Sequence, residues 1–195
     1  MNKKLIILTL ALALVLGVAV GGTLAWLTAK TDPVVNTFTV GNIILELKET
    51  VSVYKMVPGT DMKKDPTVVV REGSEACYVY VKVEKTIGTV TVGATTYTFD
   101  DFLTVAMAEG WEPLPDHSDI YYFASVIQQN DEIQRLPVLK DNKVTTKSTV
   151  TKEMLSAITT ENGPKLTFTA YAVQREAGDN AVTAWNQTFG AQSGQ

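Results

Sequence analysis

The chain has 195 residues, with 17 Lys and Arg against 21 Asp and Glu, and its formal net charge is −4. After the first 25 residues its longest basic cluster is Lys63-Lys64, so it lacks the positive patch that nucleic acids and anionic lipids require, and neither is an expected partner. A single cysteine, Cys77, excludes an intrachain disulfide. A single histidine, His117, excludes a zinc centre built on several histidines.

Residues 1–25 are predicted to be a secretory signal peptide whose apolar part is helical. Lys3 and Lys4 form a positive head, and an uncharged run of Leu, Ile, Val and Ala follows to Val20. Gly21-Gly22 breaks that run, and small residues stand three and one positions before a cut. The predicted cleavage residues are Thr23, Ala25 and Trp26.

The alternative is an uncleaved membrane anchor. Leu5–Leu27 contains 23 residues without a charge, and a membrane-spanning helix needs about 20. Cleavage is favoured because the glycine pair lies where the apolar helix of a signal should stop. The predicted location is therefore secreted, in an extracellular matrix or at the cell surface. The membrane is contacted only by the uncleaved precursor, and signal peptidase is a partner during export.

Beyond the signal the sequence predicts short strands separated by turns. Residues 26–40 form an N-terminal segment, and the runs Asn42–Lys48 and Val51–Met56 are β-rich. Thr67–Arg71 contains three consecutive valines, which predicts a strand buried on both faces.

Residues 76–85 alternate strictly and give the clearest strand pattern in the chain. Period two places Cys77, Val79, Val81 and Val83 on one face and Lys82 on the other, with Glu84, Tyr78 and Tyr80. The first face is predicted to lie in the core. Cys77 is therefore predicted to be a small core hydrophobe rather than an intermolecular link.

The second half of the chain adds hairpins and short helices. Thr89–Val92 and Thr95–Phe99 flank Gly93-Ala94, which predicts a hairpin. Asp100 is predicted to cap a helix that runs through Ala108. The remaining predicted elements are a strand at Ile120–Ile127, a second hairpin of Pro137–Leu139 and Val144–Thr146, a helix at Thr151–Ile158, a long strand at Lys165–Gln174, helical turns at Asn180–Thr188, and a disordered tail at residues 190–195.

The expected fold class is all-β. Many short strands spaced by turns, without a βαβ rhythm, predict an antiparallel β-sandwich over residues 41–189. Strands interrupted by short helical insertions favour a jelly-roll-like topology.

No residues are expected to form a catalytic, cofactor-binding or metal-binding site. The loop of Asp116, His117, Ser118 and Asp119 could hold a divalent ion, but its position between Pro115 and a strand favours a solvated loop. Nucleophilic catalysis would depend on His117 as the base, and a glycine-rich phosphate loop is absent from the sequence. Paired carboxylates for sugar hydrolysis could come from distant strands, and nothing singles out two of them.

Two N-terminal motifs carry a resemblance to a known family. Residues 21–28 read Gly-Gly-Thr-Leu-Ala-Trp-Leu-Thr, and residues 36–43 read Asn-Thr-Phe-Thr-Val-Gly-Asn-Ile. They resemble the start of the exported TasA and camelysin-type (CalY) proteins, in which a GGT-aromatic-A signal precedes an N-T-F-x-x-G strand. Residues 54–59, 75–79 and 166–174 resemble the clostridial branch of such proteins.

The resemblance implies cleavage by a SipW-type signal peptidase and a jelly-roll subunit of Gram-positive biofilm matrix fibres. It also implies self-association, in which the freed segment 26–40 adds as a strand to a neighbour. The assembly residues would be Val34, Val35 and Phe38. Camelysin has been described as a metallopeptidase, but the chain has no His-Glu-x-x-His motif, so that activity is not implied. The alternatives are a monomeric secreted or cell-surface binding module without catalytic activity and, third, an enzyme.

Overall fold

The computed structural model of the chain describes residues 42–50, 55–129 and 132–190. The signal peptide, the segment 26–40 and nearly all of the predicted tail lie outside the described residues. The same holds for most of the predicted strand Val51–Met56. The predicted site residues that fall outside are Thr23, Ala25, Trp26, Val34, Val35 and Phe38.

Strands predominate along the described residues, and a few short helices lie between them. The strands are β1 Leu45–Lys48, β2 Asp61–Lys63, β3 Thr67–Val70, β4 Cys77–Thr86, β5 Val90–Val92, β6 Thr95–Tyr97, β7 Leu103–Thr104, β8 Trp111–Pro113, β9 Ile120–Phe123, β10 Gln134–Pro137, β11 Lys143–Thr146 and β12 Lys165–Gln174. The α-helices are α1 Phe99–Phe102, α2 Lys152–Ser156 and α3 Ala181–Phe189, and 3-10 turns lie at Lys140–Asn142 and Arg175–Ala177.

The strand pairings between these elements are all antiparallel. One sheet has the order β1-β3-β10, and a second has the order β12-β4-β9-β8. A smaller sheet has the order β2-β11-β7, and β5 and β6 form a hairpin. The predicted all-β class with short helical insertions is therefore confirmed for the described residues.

The central strand β4 has the predicted register. Cys77, Val79, Val81 and Val83 are all buried in one cluster, which also contains Val68 and Val70 of β3. Lys82 is half-buried on the opposite face. The three valines of β3 are at most 2% exposed, so the prediction of a strand buried on both faces is also correct.

The opposite face of β4 is more buried than its sequence suggests. Tyr78 and Tyr80 form a second cluster with Trp185 of α3. The Tyr80 hydroxyl donates a hydrogen bond to the Ala181 carbonyl at 2.7 Å, and its ring centroid lies 4.9 Å from that of Trp185. Helix α3 thus covers part of a sheet face, and its N-cap Asn180 accepts a hydrogen bond from the Thr183 N–H.

The helix predicted from Asp100 to Ala108 is wrong in both extent and cap. Helix α1 ends at Phe102, and its N-cap is Thr98. Thr98 donates its N–H and its hydroxyl to the Asp101 carboxylate, at 2.7 and 2.8 Å. The chain then becomes strand β7, because Leu103 and Thr104 pair with β11.

The predicted hairpin across residues 140–143 is also wrong. Strand β10 pairs with β3, whereas β11 pairs with β2 and β7, so the two strands belong to different sheets. Asp141 and Asn142 adopt positive φ angles of 55° and 52° in the turn between them. The strand predicted at Ile120–Ile127 ends at Phe123, and Ile127 forms only an isolated bridge with Cys77.

Candidate functional site

The strongest candidate for a binding surface is the outer edge of β12. This strand has ten residues, and all of them pair with β4. On its other side β12 pairs with no strand of the described residues. Ten residues is long for an edge strand, because natural sheets usually keep their edges short.

The hydrogen bonds of β4 show which groups of β12 face outward. The Val83 N–H donates to the Asp119 carbonyl, and Cys77 exchanges two hydrogen bonds with Ile127, so the odd-numbered residues of β4 face β9. The even-numbered residues of β4 must then face β12. In the observed register they pair with the odd-numbered residues of β12. The residues of β12 that direct their N–H and C=O groups away from the sheet are Leu166, Phe168, Ala170, Ala172 and Gln174.

The side chains of this edge are apolar on the core face. Leu166, Phe168, Ala170 and Ala172 are half-buried and pack against the main core cluster. After Lys165 the strand contains no charge and no proline. Charges and prolines are the devices that normally discourage strand addition, so the β12 edge is chemically suited to pair with another extended chain.

Strand β1 lies beside β12 and is the edge of the other large sheet. The Arg71 N–H donates to the Ile44 carbonyl, which means that Leu45 and Leu47 direct their backbone groups outward. Leu47 is 36% exposed and Ile44 is 41% exposed. We call the neighbouring edges of β1 and β12 the open side.

A partly buried ion pair lies between the end of β1 and the side chains of β12. The Lys64 ammonium lies 2.6 Å from Glu49, which follows β1, and 5.4 Å from the ring centroid of Phe168 on β12. The Lys64 side chain is only 10% exposed. An ammonium above an aromatic ring attracts the face of that ring.

His117, the residue considered as a catalytic base, lies next to an aromatic ring. The ring centroid of His117 lies 6.0 Å from that of Trp185, so the imidazole packs against an aromatic residue of the second cluster. Within the described ranges no group of three or more His, Cys, Asp or Glu side chains is placed to hold a metal ion. Burial raises the pKa of the Cys77 thiol to about 11, which keeps it protonated and unreactive.

Sequence reasoning identified the strand but not its position at an edge. Alternation predicted the bounds Lys165–Gln174, and the structure has the same bounds. Edge status depends on strand order within the sheet, which the sequence of one strand does not contain. The nine residues after Lys165 carry no charge and no proline, which is typical of a strand paired on both sides, so the strand's own sequence contained no signal of the edge.

Among the described helices none is long and apolar enough to cross a membrane. Comparison of the chain with protein-family models, with curated proteins and with solved structures found no match.

Proposed function

We propose that this chain is an exported structural subunit of an extracellular matrix fibre, related to the TasA and camelysin-type proteins. Segment 26–40 of one copy would add as a strand to the open side of the next copy. The observation that carries the proposal is the outer edge of β12, which is long, uncharged after Lys165 and free of proline. Main-chain hydrogen bonds along that edge would supply affinity, and alternate side chains would supply specificity.

We further propose that the two larger sheets stack as a sandwich with a jelly-roll-like topology. Val68 of β3 and Val81 of β4 belong to the same core cluster, which supports face-to-face packing. The two sheets also approach each other at both of their edges. β1 lies beside β12, and Trp111 of β8 donates its indole N–H to the Pro137 carbonyl of β10.

The supply of the donor segment depends on export. Removal of residues 1–25 would free the N-terminus at Trp26 and leave 15 Lys and Arg against 21 Asp and Glu. Val34, Val35 and Phe38 would then be available to the neighbouring copy. Pro33 lacks an N–H, so residues 34–38 should pair more regularly than residues 26–32.

Negative-stain electron microscopy of the chain that begins at Trp26 tests this function. We expect fibres from this chain and folded monomers from a chain that lacks residues 26–35. Fibres of normal appearance from the shorter chain would rule out strand donation. Persistent monomers from the longer chain under all conditions would favour the monomeric binding module.

A matched pair of variants tests the β12 edge itself. Ala170→Pro removes an outward-facing N–H, whereas Ala170→Ser keeps it. We expect the proline variant to remain folded by circular dichroism and to lose assembly, while the serine variant assembles normally. Normal fibres from folded Ala170→Pro would show that another edge accepts the donor.

A further inference from the structure

The side of the molecule opposite the open side is formed by β8 and β10. Strand β8 is the last strand of the β12-β4-β9-β8 sheet, and β10 is the last strand of the β1-β3-β10 sheet. The Trp111 indole N–H donates to the Pro137 carbonyl at 2.8 Å and so connects the two edges. We call these neighbouring edges the closed side.

Strand β8 presents no unpaired backbone N–H at its outer edge. The Gly110 carbonyl accepts from the Ala124 N–H, and the Leu114 N–H donates to the Ile120 carbonyl, so these residues face β9. Alternation then directs Trp111 and Pro113 outward. The Trp111 N–H is bonded to the Ala108 carbonyl at 3.4 Å, and proline has no N–H to offer.

Strand β10 is protected in the same way. The Val138 N–H donates to the Pro66 carbonyl, which places Leu136 toward β3 and Arg135 and Pro137 toward the outside. Pro137 has no N–H, and its carbonyl is occupied by Trp111. The remaining outward N–H belongs to Arg135, whose side chain is charged and exposed.

The two sides therefore differ in the outward-facing backbone N–H groups with which an extended chain could pair. Both closed-side strands have a proline at an outward-facing position, whereas β12 has none along ten residues. We propose that Pro113 and Pro137, together with Trp111, prevent a second copy from adding a strand at the closed side. Association is thereby restricted to the open side. The role of the open side in association rests on the proposed function. The proposal that strand addition is prevented at the closed side does not.

The test restores backbone N–H groups at the closed side. Pro113 and Pro137 are both exposed, so the double variant Pro113→Thr, Pro137→Val replaces no core side chain. The matched control is Pro115→Thr, which removes an exposed proline from the loop after β8. All chains begin at Trp26 and are compared by sedimentation velocity and negative-stain microscopy.

We expect the double variant to form laterally joined or branched assemblies that sediment faster than the parent chain. The control should match the parent. Parent-like sedimentation and morphology from a double variant with unchanged circular dichroism and Tm would overturn the proposal. Should the double variant lose its fold, Pro137→Ala alone is compared in its place, with the same two outcomes.

The outcomes also separate this proposal from the proposed function. If the parent chain remains monomeric and the double variant associates, the fibre function fails and the block at the closed side holds. If the parent forms fibres and the folded double variant forms identical ones, the block fails and the fibre function holds.

Discussion

Single positions in β4 tolerate little change because the strand is covered on both faces. Val81 is fully buried, and it pairs with Ala170 on one side and Tyr121 on the other. The next residue, Lys82, is half-buried and forms ion pairs with Glu84 at 2.9 Å and Asp119 at 3.8 Å. A polar group is therefore accepted at one position of this strand and excluded at its neighbour.

Val81→Asp is expected to destabilise the fold by about 4 kcal/mol, because it buries a charge without a partner. Urea unfolding measures the change. The matched control is Thr86→Asp at the exposed end of the same strand, where we expect a change within about 0.5 kcal/mol. Equal stability of Val81→Asp and the parent would contradict the observed register.

Asp65 predicts a pH dependence at the surface. Its pKa is lowered to about 2, first by the Thr50 hydroxyl and then by the Thr50 N–H, which donate at 2.5 and 3.0 Å. A carboxyl whose pKa is lowered in the folded state stabilises that state above its ordinary pKa of 3.8. That contribution is lost as the pH falls toward about 2.

We therefore expect the parent to be more stable than Asp65→Asn at neutral pH and the difference to shrink as the pH falls from about 4 to about 2. Thr50→Val should reduce the same pH-dependent difference, since it removes the hydroxyl donor. Thermal unfolding at a series of pH values measures it. A difference that stays constant over this range would mean that the Thr50 contacts do not lower the pKa.

At the scale of elements, the sequence pattern correctly predicted strands and helices whose bounds depend on residues within the same segment. Strand β12 has its predicted bounds, and α2 lies within the helix predicted at Thr151–Ile158. The helix from Asp100 and the second hairpin were wrong because β7 and β11 are fixed by pairings with distant strands. The edge position of β12 and the prolines of the closed side required the strand order, which no single segment of the sequence contains.

Helix α3 is expected to depend on one side chain for its attachment. Trp185 is 6% exposed and contacts the rings of Tyr80, Tyr171 and Phe189. Trp185→Ala should cost about 3–5 kcal/mol and should increase amide exchange in α3. Gln187→Ala, at an exposed position of the same helix, is the control. An unchanged exchange rate in α3 would mean that another contact holds the helix.

At the scale of the whole molecule, the proposed assembly depends on processing at the N-terminus. Thr23 and Ala25 are the small residues that a signal peptidase pocket accepts, and they define the proposed cut before Trp26. Assembly in the proposed form requires that cut, because the donor segment begins there. In this proposal, processing and assembly are sequential steps, and each should be blocked by a different variant.

Ala25→Glu is expected to leave a membrane-held precursor, because a charged side chain does not fit the pocket. Immunoblots of membrane and culture fractions measure the outcome. Ala29→Glu, which lies after the proposed cut, should be released normally. Normal release of the Ala25→Glu chain would mean that the cut lies elsewhere.

The antiparallel ladder between β4 and β12 has a mechanical consequence. Its ten residue pairs lie side by side along one direction. A neighbour paired with β12 would transmit tension along the strands, and the ladder would carry it in shear, with its hydrogen bonds loaded together. Pulling across the strands would instead break them one after another. A fibre built through this edge would therefore resist stretching along the strand direction much better than peeling.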